Sequence, residues 1–567
     1  MSLIFLVVSA NCKAQSWEWA RDITGVWQVF EVDGIADVDA QGNSYLLARQ
    51  EDNVFYGEEE IPLTTLVQEG IQYFLLKLDE SGEIVWQRTL ETEIASLGQF
   101  TNMAVGPQGE VYLTGSYGAL PIPGAENWVI DDLVFPTPND TREAFVLKLD
   151  QNGIAEWVTT FAELGPNLAI EGEYILEVSP DGTYLILSGS YANTTLAIGG
   201  EEFTLPYDLT TAEGQIFVSK LITTDGQVDW ISGGYGSDLI DFIEDIQINQ
   251  SDEIFVQGIF SGDTAHFGNT FVVNEDANGF FGADAFYAKF SSEGAPVWSV
   301  TTGTELRDVG NKMIATSTGG LIVCGNLLAD TEIEGVIMEA PGTYFVNYNF
   351  EGAAANVQKL SSGVVGGLVK SNTNEFILTG SFTDETFELG DFELNNESGG
   401  IGTSDIYIAR ISEQGSVLSA ERFGGFDNEE LIDATLTSNG SLILYGSYTS
   451  LDLPLGDFTL QNEEFPGNEL FHASRNLALS SSDEIEVYPL EIFPNPATDR
   501  VIVDIPVGTS PDQLLSVFDM MGKKVHEQRV NQVGKKEVEL SALPNGVYNL
   551  VLNEVEATFS TKLVVAR

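Results

Sequence analysis

Residues 284–298 read DAFYAKFSSEGAPVW, and this stretch decides the fold of most of the chain. An aromatic strand runs into a turn that closes with Gly294, and a second strand follows that carries Trp298. Glycine accepts the positive φ that tight hairpin turns require, so the pattern predicts an antiparallel β-hairpin. Similar hairpins lead to Trp86, Trp157 and Trp230, and weaker copies occupy residues 344–352 and 406–415.

A second kind of hairpin precedes each of these, and its last strand ends in a small residue. The strand ends are Ala48, Gly115, Gly189, Gly258, Gly325, Gly380 and Gly446. Their spacing runs from 55 residues (Gly325 to Gly380) to 74 residues (Gly115 to Gly189). Two hairpins per repeat give four strands, which is the count of a β-propeller blade.

The last repeat is incomplete. After the strand that contains Phe471 the expected Gly turn and Trp strand are missing, whereas residues 16–24, SWEWARDIT, form such a strand without a hairpin partner. Trp19 and Arg21 sit there as Trp86 and Arg88 do in the first repeat. We therefore expect the N-terminal strand to complete the last repeat, because this closes a ring and removes two open sheet edges.

The repeats resemble the bacterial SBBP-type β-propeller repeats, and the similarity covers about residues 17–482. The resemblance implies an all-β, seven-bladed β-propeller in which the fifth and sixth repeats are the most degenerate. It implies no activity, because propellers carry many unrelated functions.

The C-terminal segment differs from the repeats. Its short alternating strands are separated by Pro-Asn-Pro, Gly-Lys-Lys and Pro-Asn-Gly turns, which predicts a small Ig-like antiparallel β-sandwich over residues 485–567. The segment resembles the type A C-terminal sorting domain of the type IX secretion system. That resemblance implies a Bacteroidetes-type exporter, passage through the outer membrane, and release or surface attachment. The motif residues are Pro494, Asn495, Pro496, Asp519, Gly522, Lys523, Gly546, Tyr548 and Lys562.

The charge balance narrows the choice of partners. The chain carries 86 acidic and 24 basic residues, a formal charge of −62, so it repels phosphate backbones and we expect no nucleic-acid partner. Cys12 and Cys324 are the only cysteines, which excludes a disulfide framework. No apolar run reaches the roughly 18 residues of a membrane helix, so we expect no transmembrane segment.

The N-terminus predicts export. The apolar run at residues 3–10 and the small residues before Gln15 are typical of a signal peptide over residues 1–14, and the missing positive segment indicates a truncated start. Acylation of Cys12 is a weaker alternative, because SANC is a poor lipobox. The predicted order is thus a signal peptide (1–14), a propeller (15–484) and a sorting domain (485–567).

One repeat position keeps a cation in an acidic chain. A tight turn at Asn152-Gly153 would set Lys148 opposite Trp157, where its ammonium group gains a cation–π contact. We interpret this row as a structural contact within blades, with a ring of cations for an anionic ligand as the alternative. The cations are Lys77, Lys148, Lys220, Lys289 and Arg410, and the tryptophans are Trp19, Trp86, Trp157, Trp230 and Trp298.

The remaining candidate residues do not form a catalytic or metal motif. His266, His472 and His526 are far apart in sequence, and Cys324 lies in an apolar strand. Asp37-x-Asp39 imitates the start of a Ca²⁺ loop, but position 12 of that loop would be Ala48, inside a strand. We predict no catalytic, cofactor or metal residues, and leave Ca²⁺ open as a ligand of the acidic surface.

These observations predict a secreted or cell-surface β-propeller that binds an extracellular protein or a glycan, exported by the type IX machinery and monomeric. The long connections at residues 117–142, 191–214 and 260–282 are rich in Gly, carboxylate and aromatic residues and are the expected recognition surface. A propeller enzyme acting on polysaccharide is the alternative, and a structural or adhesive surface protein is the second alternative.

Overall fold

A computed structural model gives the structure of the chain as two compact units, residues 16–477 and a C-terminal unit that starts at Ala478. It describes residues 16–26, 35–62, 72–91, 99–117, 128–135, 143–164, 174–191, 195–204, 215–236, 242–260, 262–274, 283–302, 312–327, 329–371, 375–398, 402–462, 467–477, 486–505, 513–519, 524–530, 534–541, 543–553 and 557–567. All regular structure in these ranges is β, and none of them contains a helix that could cross a membrane.

The large unit contains 41 described strands. The first half comprises β1 (Ser16–Val26), β2 (Ile35–Val38), β3 (Ser44–Tyr56), β4 (Glu59–Ile61), β5 (Gln72–Leu78), β6 (Ile84–Glu91), β7 (Gln99–Val105), β8 (Val111–Tyr117), β9 (Val129–Ile130), β10 (Leu133–Val134), β11 (Glu143–Leu149), β12 (Ala155–Leu164), β13 (Tyr174–Val178), β14 (Tyr184–Tyr191), β15 (Thr195–Ile198), β16 (Glu201–Thr204), β17 (Gln215–Ile222), β18 (Val228–Gly236), β19 (Phe242–Ile248), β20 (Ile254–Phe260), β21 (Thr264–Phe267), β22 (Thr270–Val273), β23 (Asp284–Phe290) and β24 (Pro296–Thr302).

The second half comprises β25 (Lys312–Ala315), β26 (Leu321–Leu327), β27 (Thr331–Ile333), β28 (Val336–Met338), β29 (Gly342–Tyr348), β30 (Ala354–Ser361), β31 (Val364–Lys370), β32 (Glu375–Phe382), β33 (Thr386–Leu389), β34 (Phe392–Asn395), β35 (Asp405–Ser412), β36 (Val417–Phe423), β37 (Glu429–Leu436), β38 (Ser441–Tyr448), β39 (Asp452–Leu455), β40 (Phe458–Gln461) and β41 (Glu469–Asn476).

These strands form antiparallel sheets of four, six and nine strands, which contain four-stranded runs in sequence order, a propeller-like arrangement. The runs, called units one to seven here, are β2-β3-β5-β6, β7-β8-β11-β12, β13-β14-β17-β18, β19-β20-β23-β24, β25-β26-β29-β30, β31-β32-β35-β36 and β37-β38-β41-β1. The first strand of each unit, the inner strand, packs against the inner strands of its neighbours, and β2 lies against both β7 and β37.

The turn glycines take the predicted conformation. Gly153 has a φ of 78°, and its N–H donates to the Asp150 carbonyl at 2.8 Å. The turn is longer than the two residues predicted, because the ladder shifts by one residue between Lys148 and Leu149. The bulge preserves the predicted pairing of Lys148 with Trp157.

The long connections between the second and third strands contain short strands, and this corrects the expectation that they are loops. Each contains a short hairpin: β15–β16, for example, leaves the third unit and pairs with β12 of the second, from Phe161 opposite Ile198 to Leu164 opposite Thr195. The equivalent hairpins are the end of β3 with β4, β9–β10, β21–β22, β27–β28, β33–β34 and β39–β40. We call these seven the connection hairpins.

The core of the large unit lies between neighbouring sheets. The middle strands are apolar on both faces, so Leu113 and Phe145 of the second unit pack in one cluster with Leu75 of the first. Burial of apolar surface contributes about 25 cal/mol per Å². Because each sheet buries both of its faces against neighbouring sheets, its stability depends on them.

The C-terminal unit is a pair of small sheets around one core. Its strands are β42 (Glu486–Pro489), β43 (Glu491–Phe493), β44 (Arg500–Ile505), β45 (Gln513–Asp519), β46 (Lys524–Val530), β47 (Gly534–Glu539), β48 (Gly546–Asn553) and β49 (Ala557–Val565). One sheet has the order β42-β49-β48-β45-β46 and the other β43-β44-β47, with Val503, Leu550 and Leu563 buried between them. β42 runs parallel to β49, which departs from the all-antiparallel prediction.

Candidate functional site

The predicted tryptophan row connects one unit to the next. The indole N–H of each fourth-strand tryptophan donates to a backbone carbonyl in the third-to-fourth turn of the following unit. The distances are 3.0 Å from Trp19 to Glu80, 3.0 Å from Trp86 to Gln151, 3.0 Å from Trp157 to Thr223, 3.2 Å from Trp230 to Ser292 and 3.1 Å from Trp298 to Phe350. We call these contacts the indole bridges.

The turn glycine under each indole is required for two reasons. Gly294 has a φ of +75°, and a Cβ on it would lie 2.6 Å from the Trp230 ring. An L-residue would be strained in this backbone conformation and would also clash with the indole. In the sequence, each Gly turn leads into the Trp strand of the same hairpin. In the structure, the Trp of one unit lies on the Gly turn of the next unit.

The N-terminal strand lies where its sequence predicts. Trp19 of β1 is opposite Ser474 of β41, and its indole bridge reaches Glu80 in the first unit. Trp19 is buried and makes an edge contact with His472 at 5.0 Å between ring centroids. β1 therefore contacts both the last unit and the first.

The repeated cations pair with carboxylates of their own units, and Lys289 also donates to the Gly319 carbonyl of the next unit at 2.8 Å. Lys148 pairs with Trp157 in the ladder, but its ammonium group lies 5.8 Å from the centre of the Tyr112 ring and 2.9 Å from Glu156. The cation–π partner is thus an aromatic residue of the second strand, which the sequence argument had placed on the fourth. The other cations also have carboxylate partners: Lys77 with Asp39 at 3.4 Å, Lys220 with Asp229 at 3.5 Å, Lys289 with Glu253 at 2.8 Å and Arg410 with Glu375 at 2.6 Å.

Four acidic residues lie on the inner strands: Asp37, Glu177, Asp245 and Asp433, of which the sequence pattern had singled out only Asp37, as part of the Ca²⁺-loop imitation. Burial raises the pKa of Asp37 to about 7, and repulsion from Asp433 adds to the shift. Burial also raises the pKa of Asp245 to about 6, against the attraction of Lys312. The pKa of Glu177 is raised by burial and by the charges of Asp37 and Asp245, so these carboxylates share one electrostatic environment.

Backbone hydrogen bonds occupy some of these inner-strand side chains. Asp37 Oδ2 accepts a hydrogen bond from the Val105 N–H of the next unit at 2.7 Å. Asn102 accepts one from Leu176 at 3.1 Å in the same way. The inner-strand polar residues therefore connect neighbouring units near the centre of the large unit, as the indole bridges do farther out.

Within residues 16–477, His266, Cys324 and His472 belong to the fourth, fifth and seventh units. Burial lowers the pKa of His472 to about 3, so this residue is neutral, and its Nδ1 lies 3.1 Å from the Tyr56 hydroxyl. His266 stacks on Tyr235 at 4.9 Å, and burial raises the pKa of the Cys324 thiol. Within the described ranges no group of three or more His, Cys, Asp or Glu side chains could hold a metal ion.

Asp39, at the start of the segment that imitates a Ca²⁺ loop, caps a hairpin turn. Its Oδ1 accepts hydrogen bonds from the backbone N–H groups of Gln41 at 3.0 Å and Asn43 at 2.9 Å. Its Oδ2 accepts one from the Tyr45 hydroxyl at 3.0 Å. The carboxylate is thus occupied by its own turn.

The Pro-Asn-Pro segment of the C-terminal unit holds the last strand. Asn495 donates from Nδ2 to the Lys562 carbonyl at 2.7 Å and accepts at Oδ1 from the Val564 N–H at 2.8 Å, which imitates a ladder pair. The chain end is fixed as well: Arg567 donates to the carbonyls of Leu543 at 2.7 Å and Leu540 at 2.6 Å.

The other described motif residues of this unit are spread along three strands, β45, β48 and β49. Tyr548 pairs with Asp519 in the ladder and donates a hydrogen bond to the Pro544 carbonyl at 2.8 Å. Gly546 pairs with Val565, and Lys562 with Asn549. Pro494 and Pro496 flank Asn495, while Gly522 and Lys523 lie outside the described residues.

Residues 491–566 match the family model of the secretion system C-terminal sorting domain. This chain is exported by the type IX secretion system to the cell surface or the extracellular space. The match covers the strands β43 to β49 and the Asn495 contacts, and it lies entirely in the C-terminal unit.

Comparisons of the whole chain add little. No curated protein matches it. Among solved structures it is similar to the Dos1 propeller, with 9% identity, a TM-score of 0.31, and coverage of 82% of this chain and 92% of that one. It is also similar to a DUF4221 family member from Bacteroides vulgatus, with 10% identity, a TM-score of 0.27, and coverage of 59% of this chain and 90% of that one. At these TM-scores neither likeness carries a functional argument.

Proposed function

We propose that this chain is a secreted or cell-surface binding protein, in which a closed seven-bladed β-propeller of the SBBP repeat type (15–484) recognises an extracellular protein or polysaccharide. A signal peptide (1–14) precedes the propeller, and the sorting domain (485–567) takes the chain through the type IX machinery. The propeller acts as a monomer without catalysis of its own.

The pairing of β1 with β41, together with the indole bridge from Trp19 to Glu80, carries the proposal. Joining the first strand to the last unit gives that unit its fourth strand and closes the ring, so the body becomes a rigid support. The order of contacts among inner strands supports the same ring, since β2 lies between β7 and β37.

Binding is favoured over catalysis by how the charged residues are used. The repeated cations are paired inside their own units, so they are not held in a common cavity. Asp37 accepts backbone hydrogen bonds from Val38 at 2.7 Å and Val105 at 2.7 Å, which is a structural role. The variable surface of the ring is then what recognises a partner.

A polysaccharide-cleaving enzyme is the second candidate, because Asp37, Glu177 and Asp245 have the raised pKa values that a general acid needs. This candidate predicts that Glu177→Gln abolishes release of sugar reducing ends. The exposed Glu202→Gln is the matched control, because it removes the same charge from a connection hairpin.

The test is a binding screen of the full chain against glycans and surface polymers, with and without Ca²⁺, together with an assay for product release. The proposal predicts saturable binding of at least one ligand without release of product. Product release that depends on Glu177 would establish the enzyme instead, and a complete lack of binding would favour a structural or adhesive protein.

A further inference from the structure

The seven connection hairpins differ at one position of their turns. Each has a two-residue turn, and the first turn residue has a positive φ in all seven. It is Asp131 (φ 52°) in β9–β10 and Glu334 (φ 49°) in β27–β28. Because a side chain is strained at positive φ, these two carboxylates are kept at a cost in free energy. The other five hairpins have glycine there, with φ between 58° and 63°: Gly57, Gly199, Gly268, Gly390 and Gly456.

The Asp131 carboxylate has partners within the chain, whereas the Glu334 carboxylate has none in the part that the structure describes. Asp131 Oδ2 pairs with Arg88 at 2.8 Å and accepts a hydrogen bond from the Ala155 N–H at 2.8 Å. The Glu334 side chain is exposed and, among the described residues, makes no hydrogen bond or ion pair. A strained position that gains nothing inside the chain is typical of a residue that contacts a ligand.

Glu334 lines a groove of about 620 Å³. Residues 271–273 of β22, residues 299–302 of β24 and residues 332–335 surround it. β22 already lies along β24, so the edge of β24 does not offer a place for an added strand. The volume falls within the range of about 300–1,000 Å³ that small-ligand sites have.

Phe271 supplies an aromatic ring to this groove, and its side chain is 57% exposed. It ends a row of three rings on neighbouring strands, with centroid distances of 4.9 Å from Tyr235 to His266 and 5.7 Å from His266 to Phe271. The Thr264 hydroxyl lies 3.1 Å from His266 Nε2 and holds the middle ring. Because the row supports Phe271 before any ligand arrives, little side-chain entropy is lost on binding.

The polar groups of the groove suit a ligand that carries hydroxyl groups. Glu332 and Glu334 are exposed carboxylates, which accept strong hydrogen bonds. Ser299 also lines the groove, and its buried hydroxyl oxygen has no hydrogen-bond partner among the described residues. None of the described lining residues is basic, so the groove repels an anionic ligand.

We propose that this groove binds a short segment of a neutral polysaccharide. The C–H face of a sugar ring is apolar and slightly positive, so it packs on the negative face of the Phe271 ring. Sugar hydroxyls donate to Glu332 and Glu334, and a sugar oxygen accepts from Ser299. This inference rests on the proposed binding function and chooses polysaccharide from its two classes of ligand.

The test adds neutral trisaccharides to the glycan and polymer screen of the full chain. The trisaccharides are built from glucose, galactose, mannose or xylose, and a trisaccharide of galacturonic acid is the anionic control. Isothermal titration calorimetry at about 150 mM salt measures the affinities, since long-range charge effects are screened there. We expect at least one neutral trisaccharide to bind and the anionic one to bind at least about tenfold more weakly.

The aromatic contact is tested with Phe271→Leu and Phe271→Trp. Leucine keeps an apolar side chain without a ring face, so it should lose about tenfold in affinity, whereas tryptophan should bind within about threefold of the parent. Phe426→Leu, at a side chain that is 76% exposed, is the matched control and should change affinity less than about twofold.

The carboxylate contact is tested with Glu334→Gly, which removes the acid and the backbone strain together. It should lose about tenfold in affinity and unfold at the same or a higher temperature than the parent. Asp131→Gly makes the same change at the equivalent turn and should keep affinity within about twofold. Circular dichroism and thermal unfolding of each variant identify any misfolding, and a lower unfolding temperature for Glu334→Gly would assign its carboxylate a structural role and contradict the proposal.

The remaining outcomes separate this inference from the binding function. Equal losses in the groove and control variants, or a neutral polysaccharide that Phe271→Leu and Glu334→Gly bind as tightly as the parent, would overturn the groove as the site. If the screen finds only protein or anionic ligands, this inference fails and the binding function stands. If no ligand of any class binds, both fail.

Discussion

Two junctions between neighbouring units are made by different side chains. At the junction of the second and third units, the buried Trp157 lies on Gly226 and donates to the Thr223 carbonyl at 3.0 Å. At the junction of the fifth and sixth units, Asn356 takes the Trp position and donates to the Gln414 carbonyl at 2.5 Å. The hydrogen bond is kept while the aromatic packing is lost. We therefore expect the hydrogen bond to fix how the two units meet, and the packing of the indole to supply most of the stability of the junction.

The neighbouring glutamine completes the asparagine junction. Gln358 donates to the Gly415 carbonyl at 2.5 Å and fills space next to that glycine. A small polar pair thus replaces one indole. The fifth and sixth units, where the repeat sequence is weakest, are joined by polar contacts where five other junctions use an indole ring.

The largest effect is expected from Trp157→Ala. Removing a buried tryptophan that also donates a hydrogen bond should lower the free energy of unfolding by about 3–5 kcal/mol. Asn356→Ala, its counterpart at the polar junction, should cost only about 1 kcal/mol. Urea unfolding of the full chain followed by tryptophan fluorescence and circular dichroism measures both, and equal losses would show that the indole adds no packing.

The second effect separates backbone strain from the clash with the indole. Gly200→Ala meets nothing within 4 Å but has a φ of +90°, so it should cost about 1–2 kcal/mol from backbone strain. Gly294→Ala has the same strain and also meets the Trp230 ring, so it should cost about 1–3 kcal/mol more. Thermal unfolding compares the two, and similar losses would mean that the indole can move away.

The smallest effect concerns pH. The carboxyl groups of Asp37, Glu177 and Asp245 have raised pKa values, so the folded chain binds more protons than the unfolded chain. The contribution of Asp37 and Asp245 to stability is full below about pH 4 and is lost as pH rises through about 6 to 7, and the raised pKa of Glu177 acts in the same direction. Stability should therefore fall between pH 5 and pH 8.

Glu177→Gln should reduce that fall, because the glutamine does not ionise. Glu202→Gln removes an exposed charge and corrects for the general repulsion in an acidic chain. Denaturant midpoints at several pH values measure how the stability of each variant depends on pH. Identical pH profiles for the two variants would show that the inner-strand carboxylates do not cause the fall in stability.

The sequence predicted those parts of the fold that depend on local hairpins. The pairing of Lys148 with Trp157 and the place of the N-terminal strand beside β41 both follow from the Gly turns and from the Trp strand at residues 16–24. The connection hairpins were missed because their strands are short and their Gly-rich acidic composition is typical of loops.

The role of the inner-strand carboxylates was missed for a different reason. Acidic residues are so abundant that no single one stands out, although Asp245 and Asp433 each lie 13 positions before the glycine that ends the next strand, Gly258 and Gly446. The role of Asn495 could not be derived from the residues around it, because its partner strand lies 67 residues away in sequence. The motif identified the sorting domain, and the contact that explains the motif became visible only in the structure.

Closure of the ring is tested most directly by an engineered disulfide between Ala20→Cys and Ala473→Cys, which are partners in the β1–β41 ladder. The background carries Cys12→Ser and Cys324→Ala, and the control pair joins Ala20→Cys with Ala288→Cys of the fourth unit. We expect mass spectrometry of the oxidised monomer to find the disulfide-linked peptide that joins positions 20 and 473, and no linked peptide in the control. No link between positions 20 and 473, or equal linking in both pairs, would contradict a ring closed by its first strand.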